Sequence, residues 1–264
     1  MKNIEIGSSN NTEAVKQQYK TSEGLDIRIS FHDKYSTNKQ GYGNWLISNY
    51  EIHEGMKVLE VGCGTGSLWI GHDDILDQLE KLILTDLSDG MLEKARMNLG
   101  ERNNIDYQIA DIQELPFDDN CFDIVIANSM LYHVPDIEKG IREVRRVLKD
   151  DGVFYCATMG ENNFVEQLAE WFELNGECFR PNHNFTMQNG ERMLKTAFTD
   201  IEARIYEDSL HITNIDDLVV YLSSLSSLKA LNEMPYDKLK RIISDHTLND
   251  AVDLPKEYGM FIAK

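Results

Sequence analysis

The 264 residues include 42% hydrophobic and 27% charged side chains, enough apolar material for a sizeable core, which excludes a disordered or fibrous chain. The 45 acidic side chains outnumber the 26 basic ones and give a formal net charge of −19 at pH 7. Because such a surface repels phosphate groups, we expect neither nucleic acid nor an anionic membrane as a partner. Composition leaves the oligomeric state open.

The cysteines and the amino terminus indicate a reducing compartment. The four cysteines are far apart in the sequence and form no C-x-x-C pair, so we expect neither a metal site nor a disulfide framework. Residues 1–11 are polar, and no run reaches the roughly 18 apolar residues that a membrane helix needs. We therefore expect a cytoplasmic protein.

The chain begins with a segment, residues 1–50, whose first 12 residues we predict to be disordered. Between residues 25 and 31 apolar and polar side chains alternate as in a strand, whereas Ser22 could equally cap a helix, so the pattern leaves this stretch undecided. Arg28 and His32 lie in or beside it. We consider two interpretations, a flap over a bound cofactor and a solvated amphipathic segment.

Residues 51–160 alternate short apolar runs with helical stretches. This alternation is typical of an α/β fold, in which helices cover both faces of a parallel sheet. The predicted strands are residues 57–61, 81–85, 105–110, 122–127 and 152–158. The clearest predicted helix, residues 136–149, has an apolar stripe and ends in Arg145, Arg146 and Lys149. We predict that these three basic side chains face solvent and do not form an anion site.

The alternation stops after residue 160. Residues 161–190 are rich in asparagine and aromatic residues and predict an inserted lid that moves as ligands enter and leave. Residues 191–264 then complete the sheet, with strands predicted at 201–206 and 258–263 and an amphipathic helix at 214–231 between them.

A glycine-rich loop follows the first predicted strand. The run from Val58 to Gly66 reads VLEVGCGTG, and glycines at such a turn let a ligand approach the backbone closely. Asp86 ends the second strand twenty residues after Gly66, where a carboxylate can accept hydrogen bonds from both ribose hydroxyls of an adenosine. Asp111 ends the third strand and could accept from an exocyclic amine such as that of adenine.

Three other interpretations of these motifs stay open at this point. The glycines and carboxylates could be a plain turn and two strand-end caps. A nicotinamide-dependent oxidoreductase also has a glycine loop and an acidic strand end, although its G-x-G-x-x-G spacing is one residue wider than the spacing here. A noncatalytic module that binds an adenosine-containing cofactor would carry the same pocket.

The ordered set of motifs resembles the class I S-adenosylmethionine-dependent methyltransferases of the small-molecule type. The set comprises the glycine loop, Asp86, Asp111 with the Leu115-Pro116-Phe117 turn, and the Phe122-Asp123-Ile124-Val125 strand, and the resemblance covers about residues 55–159. It implies a Rossmann-like, doubly wound sheet of seven strands with an antiparallel last strand and helical lid insertions. It also implies a methyltransferase that uses S-adenosyl-L-methionine, forms S-adenosyl-L-homocysteine and methylates a small molecule.

The same resemblance assigns residues to the site. The cofactor-binding residues that it implies are Glu60, Gly62, Cys63, Gly64, Gly66, Asp86, Leu87, Met91, Asp111, Ile112 and Asn128, to which we add Arg28 from the amino-terminal segment. We expect Glu60 to steady the loop and the amino group of the cofactor, and Asp123 to support the sheet without touching ligand.

His133 is the candidate catalytic residue. Methyl transfer is an in-line displacement that asks mainly for positioning and exclusion of water, so a base is needed only when the acceptor must lose a proton. His133 follows the fourth strand and could serve, although a histidine before Val-Pro could equally support the loop. Ser129 and Met130 stand where methyltransferases of DNA and protein glutamine have prolines, which argues against those acceptors.

Overall fold

The computed structural model of the chain describes residues 23–174, 179 and 181–264. The predicted disorder of residues 1–12, the possible cap Ser22 and the cysteine Cys178 lie outside these described residues.

Seven strands form one mixed sheet. They are β1 (Lys57–Val61), β2 (Lys81–Asp86), β3 (Ile105–Ile109), β4 (Phe122–Asn128), β5 (Leu148–Met159), β6 (Ile201–Ile212) and β7 (Val252–Ala263). Their order is β3-β2-β1-β4-β5-β7-β6, and β7 runs antiparallel to both of its neighbours while β1 to β5 are parallel. The predicted α/β class and the antiparallel last strand are confirmed.

Nine α-helices lie in the described part of the chain. They are α1 (Glu23–Tyr35), α2 (Tyr42–Asn49), α3 (Asp73–Leu76), α4 (Asp89–Leu99), α5 (Ile137–Val147), α6 (Phe164–Trp171), α7 (Gly190–Leu194), α8 (Ile215–Ser223) and α9 (Tyr236–Ser244). Short 3-10 helices occupy Ser67–Trp69, Leu131–His133 and Ser226–Glu233.

Some predicted boundaries are wrong for identifiable reasons. The stretch that the pattern left undecided belongs to α1 and is a helix. Lys149 lies in β5 and not at the end of a helix, because Leu148 already pairs with Phe122 of β4. The single helix predicted for residues 214–231 is interrupted after α8, where Leu225 takes an extended conformation with φ −90° and ψ 110°.

The two faces of the sheet bury separate apolar clusters. On one face Leu59, Val125 and Phe154 pack with the stripe of α5, which includes Ile141 and Val144. The other face packs its own side chains against residues of α2, the 3-10 turn after the glycine loop, α3 and α4. Both faces of the sheet are therefore covered, so residues that contact a ligand are expected at the ends of the strands.

A third core joins the parts of the chain that flank the motif region. Phe31 of α1, Phe164 and Leu168 of α6, and Tyr221 of α8 are buried in one cluster with the distal halves of β6 and β7. Helix α6 of the predicted lid thus shares its hydrophobic core with the amino-terminal helix, whereas Phe185 of the same segment packs in the cluster with α5.

Candidate functional site

The glycine loop bends sharply at the carboxyl end of β1. Gly62, Gly64 and Gly66 have φ values of 69°, 55° and 67°, in the left-handed region that glycine adopts without strain. A Cβ atom on Gly62 would lie 2.9 Å from the Cβ of Met130, so the loop also packs closely against the segment after β4. The Cys63 amide donates to the carbonyl of Thr85 at 2.9 Å and fixes the loop to β2.

Asp86 binds the glycine loop through its carboxylate. The Gly64 amide donates to Oδ2 at 3.0 Å and the Ser88 amide donates to Oδ1 at 2.8 Å. Burial raises the pKa of Asp86 and these amide bonds counteract part of the rise. Each carboxylate oxygen has a second lone pair, so both can still accept from a diol.

Glu60 lies inside the sheet one strand away from Asp86. Its side chain is buried, and its Oε2 accepts a hydrogen bond from Nε1 of Trp69 at 2.7 Å. Burial raises the pKa of Glu60 to about 8, and the nearby carboxylate of Asp86 adds to the rise. The Glu60 carboxyl group is therefore largely protonated at neutral pH, which sequence reasoning did not anticipate.

The end of β3 brings Asp111 to the same sheet edge, because Asp86 pairs with Ile109 in the parallel register of β2 and β3. Oδ1 of Asp111 accepts from the backbone amide of Gln113 at 2.9 Å and from its side-chain amide at 3.0 Å. Ile112 is buried in the core and packs beside Gly140 of α5. Leu87 is half-buried, whereas Met91 on α4 is buried.

The segment after β4 contributes the remaining predicted residues. Asn128 is hydrogen-bonded to the hydroxyl of Tyr50, with its amide nitrogen 2.9 Å away. Ser129 follows with a φ of 52°, and His133 ends a 3-10 turn with its ring 4.5 Å from that of Tyr132, centroid to centroid. The structure thus groups the predicted loop, Asp86, Asp111 and Asn128 at the carboxyl edge of β1 to β4.

Two predicted side chains lie elsewhere. A guanidinium nitrogen of Arg28 donates to the carbonyl of Ser224 at 3.1 Å, so Arg28 joins α1 to the end of α8. Asp123 at the opposite edge accepts from the Lys57 amide at 2.8 Å and from Nζ of Lys149 at 2.6 Å. The prediction that Asp123 supports the sheet agrees with these contacts.

Sequence reasoning missed Tyr42 and Tyr50, which begin and follow α2. Burial raises the pKa of both phenols; the Tyr42 hydroxyl interacts with Ser129 and that of Tyr50 with Asn128. The only signal in the sequence was the presence of tyrosines on both sides of a short apolar run. The contacts of these tyrosines with Asn128 and Ser129 form only in the folded chain, so no local sequence pattern could predict them.

Searches for a metal cluster and for a membrane span covered the described residues. Among residues 23–174, 179 and 181–264, no three His, Cys, Asp or Glu side chains are grouped so that they could hold a metal ion. Within the same ranges no helix has both the length and the apolar composition needed to cross a bilayer.

Comparisons with known proteins agree with this geometry. A family model described as "Methyltransferase domain" matches residues 59–156. Malonyl-[acyl-carrier protein] O-methyltransferase of Geobacter sulfurreducens is 35% identical over 120 residues, 45% of this chain and 44% of that protein. The ubiquinone/menaquinone biosynthesis C-methyltransferase UbiE of Idiomarina loihiensis is 38% identical over 104 residues, 38% of this chain and 41% of that protein. Each match thus spans less than half of the relative's length.

A solved structure extends the likeness over nearly the whole chain. Phosphoethanolamine N-methyltransferase 2 of Haemonchus contortus, in complex with S-adenosyl-L-methionine, superposes with a TM-score of 0.59 and 18% identity. The superposition covers 97% of this chain and 59% of that one. At this identity the likeness establishes the fold alone.

Proposed function

We propose that the chain is a class I S-adenosylmethionine-dependent methyltransferase that transfers a methyl group from S-adenosylmethionine to a small-molecule acceptor, in keeping with the methyltransferase-domain match over residues 59–156. The observation that carries the proposal is the carboxylate of Asp86, which the backbone amides of Gly64 and Ser88 hold beside the glycine loop. A carboxylate in that position is suited to accept from the hydroxyl pair of an adenosine ribose.

The residues of the site fit this cofactor. When bound, S-adenosylmethionine supplies an electrophilic methyl group on a positively charged sulfur. Asp86 would accept from the ribose, and Gly64 leaves its backbone open to close approach. Asp111 would accept from the adenine amine and Asn128 would lie toward the methionine portion. Arg28 lies on α1 and donates to the Ser224 carbonyl, so it would contact the cofactor only if α1 changes position.

Two features support a small acceptor. The net charge of −19 gives a polymer of phosphates no attractive surface. The third core places α1, α6 and α8 together, so helices are available to enclose a small ligand. His133 remains our candidate for removing a proton from the acceptor, because it follows β4 at the same sheet edge as the glycine loop.

Calorimetric titration tests the cofactor assignment. We expect the wild-type protein to bind S-adenosylmethionine and S-adenosylhomocysteine and not NAD. Asp86→Asn should weaken this binding about 10-fold to 100-fold, because a charge-assisted hydrogen bond contributes about 1.5 to 3 kcal/mol. The matched control is Asp106→Asn, whose exposed carboxylate pairs with Lys81 on the neighbouring strand.

Transfer of label tests the activity. With methyl-labelled cofactor and a fractionated metabolite extract, we expect label in the low-molecular-weight fraction. Binding of NAD, together with no binding of S-adenosylmethionine or S-adenosylhomocysteine, would favour an oxidoreductase. Cofactor binding without label transfer to any fraction would favour a noncatalytic module, and label only in protein or RNA would exclude the small acceptor.

A further inference from the structure

A carboxyl group is buried in the sheet just before the glycine loop. Glu60 lies on β1 two residues before Gly62 and is 3% exposed. Its Oε2 accepts from Nε1 of Trp69 at 2.7 Å, and the side chain of Asn128 also hydrogen-bonds the carboxyl group. Both partners are neutral. A buried carboxyl group needs either a cation beside it or a proton of its own, because an unpaired buried charge is costly.

Among the described residues, the titratable groups that act on Glu60 include no cation. The carboxyl group of Asp86 on β2 raises the pKa of Glu60. The Cys63 thiol of the glycine loop and the Tyr50 phenol after α2 have pKa values raised by burial and by the proximity of Glu60, so both are neutral at pH 7. The two hydrogen-bond partners of Glu60 do not titrate. In the free protein a proton therefore takes the place of a counter-charge.

The proposed cofactor carries the cation that this carboxyl group lacks. Asp86, which is suited to hold the ribose, is bound by the amide of Gly64, four residues after Glu60. The amino-acid part of the cofactor extends from the ribose and has one ammonium and one carboxylate. Glu60 and Asp86 repel the carboxylate and attract the ammonium, so the ammonium is the end that faces Glu60. A positive charge within about 4 to 6 Å favours the ionised form of a carboxyl group.

We propose that Glu60 holds a proton in the free protein and releases it when S-adenosylmethionine or S-adenosylhomocysteine binds. The O–H bond of the carboxyl group breaks, the proton passes to the buffer, and the carboxylate that remains pairs with the ammonium group of the ligand. The proposal rests on the proposed function. It adds to that function a link between cofactor affinity and pH.

The direction of the pH effect follows from the number of protons bound. Burial raises the pKa of Glu60 to about 8, so most of the free protein carries this proton at pH 7. A binding step that releases a proton becomes more favourable as the pH rises, until the free protein has itself lost the proton. We therefore expect the affinity for S-adenosylhomocysteine to rise about threefold or more from pH 6 to pH 7.5.

Calorimetric titration in buffers of different ionisation enthalpy counts the released protons. We would titrate the wild-type protein with S-adenosylhomocysteine at pH 7 in PIPES, imidazole and Tris, because the buffer takes up each released proton and adds its own heat of ionisation. We expect about 0.5 to 1 proton released per ligand bound. The ligand amine is not the source, since pairing with a carboxylate makes it hold its proton more tightly. Binding without proton release would overturn the proposal.

A ligand without the amino-acid part separates Glu60 from Asp86. Burial also raises the pKa of Asp86, so this second carboxyl group is the other possible source of a proton. The compound 5′-methylthioadenosine keeps the ribose that Asp86 is suited to hold and has no ammonium. We expect it to bind the wild-type protein without releasing a proton. Equal release with both ligands would assign the proton to a group other than Glu60.

The variant Glu60→Gln tests the residue itself. Glutamine does not titrate, and its oxygen can still accept from Trp69. We expect this variant to bind S-adenosylhomocysteine without proton release, and its affinity to change less than twofold between pH 6 and pH 7.5. The matched control is Glu80→Gln, whose carboxylate is 58% exposed and pairs with Lys57, and it should release as many protons as the wild type. Release by Glu60→Gln equal to that of the wild type would overturn the proposal.

The outcomes separate the two proposals. A wild-type protein that binds S-adenosylhomocysteine with no proton release overturns the role of Glu60 and leaves the proposed function intact. A Glu60→Gln protein that fails to fold leaves the comparison of the two ligands on the wild type to decide. Failure of the wild-type protein to bind either S-adenosylmethionine or S-adenosylhomocysteine overturns the proposed function and this inference with it.

Discussion

Glu60 is a carboxyl group whose environment favours its neutral form. It is 3% exposed, its Oε2 accepts from Trp69, and its pKa rises from 4.5 to about 8. A carboxyl group with a folded-state pKa above its unfolded value stabilises the fold fully below pH 4.5. This contribution is lost as the pH rises toward 8, because the unfolded chain releases the proton more readily.

The variant Glu60→Gln should remove this pH dependence. The amide is neutral throughout, and its oxygen can still accept from Trp69. We expect its free energy of unfolding to exceed that of the wild type at pH 8 by up to about 4 kcal/mol, with the difference declining toward pH 4.5. Urea unfolding between pH 5 and 8 measures this difference in the free energy of unfolding. In the unfolded chain His32 also titrates in this range, but both proteins contain it, so its contribution cancels in the difference. The free energy of unfolding of the exposed control variant Glu80→Gln should change with pH as that of the wild type does. If Glu60→Gln showed the same pH dependence as the wild type, the raised pKa of Glu60 would be contradicted.

At the scale of elements, the polar face of α5 is a docking surface for the chain between β3 and β4. The Arg146 guanidinium donates to the carbonyls of Leu115 at 2.9 Å and Phe117 at 2.8 Å, and it pairs with Asp119 and Glu143. The prediction that this side chain faces solvent is only partly correct, because the side chain is 30% exposed and its guanidinium is bound by these groups. The two carbonyl partners are 29 and 31 residues away in sequence, so the helical pattern of α5 held no sign of them.

Replacing Arg146 by lysine tests this anchor. Lysine keeps the charge but lacks the planar fork of donors, so we expect Arg146→Lys to lower the free energy of unfolding by about 2 kcal/mol. Arg142→Lys is the control on the same helix, since its exposed side chain only approaches Glu138. Denaturant unfolding compares the two variants, and equal stability would show that the carbonyl contacts add nothing.

At the scale of the whole molecule, the sequence predicted the central sheet better than its cover. Strands β1 to β4 agree with the prediction to within one residue at each end. β1, β2 and β4 are largely buried apolar runs bounded by polar turns, whereas β3 is a mostly exposed strand at the edge of the sheet. The glycine loop and Asp86 were found because their chemistry is local. The proximity of Tyr42, Tyr221 and Tyr258 was missed, because these residues meet only through tertiary packing. The alternation in α1 was misleading because that helix packs through Phe31 and Tyr35 against α6 and α8.

A buried ion pair connects the amino-terminal part to the last two strands. Lys256 and Asp208 are 2.6 Å apart with side chains 2% and 0% exposed, and Ser36 donates to the same carboxylate at 2.8 Å. Burial opposes the charge of Lys256 and lowers its pKa, whereas the bonds from Lys256, Asn38 and Ser36 bring the pKa of Asp208 below its usual value. Each group therefore depends on the other as its counter-charge inside the protein.

Asp208→Asn should destabilise the protein strongly. Removing one partner leaves the Lys256 ammonium buried without a counter-charge, which costs about 3 to 5 kcal/mol. Asp253→Asn is the matched control, because its exposed carboxylate pairs with His211 across the same two strands. Thermal unfolding at pH 7 should show a large loss for the first variant and little change for the second. Similar losses would mean that the pair contributes no more than a surface contact.

The cover of the site should move as one unit. Phe31 of α1 stacks on Tyr221 of α8 with centroids 4.1 Å apart, and His32 contacts Phe164 of α6. Moving α6 alone would expose Phe164 and Leu168, both buried in this shared core. The sequence predicted a moving lid at residues 161–190, and we expect from the packing that α1 and α8 move with it.

Amide exchange of the free protein and of the protein saturated with S-adenosylhomocysteine tests this coupling. We expect protection to rise together in peptides from α1, α6 and α8, because opening any one of them exposes the same apolar cluster. Peptides from β1 and β4 serve as the internal control, since central strands open only with global unfolding. Protection that rises in α6 alone would identify an independent lid. Unchanged protection in all three helices would show that the cover is already closed in the free protein.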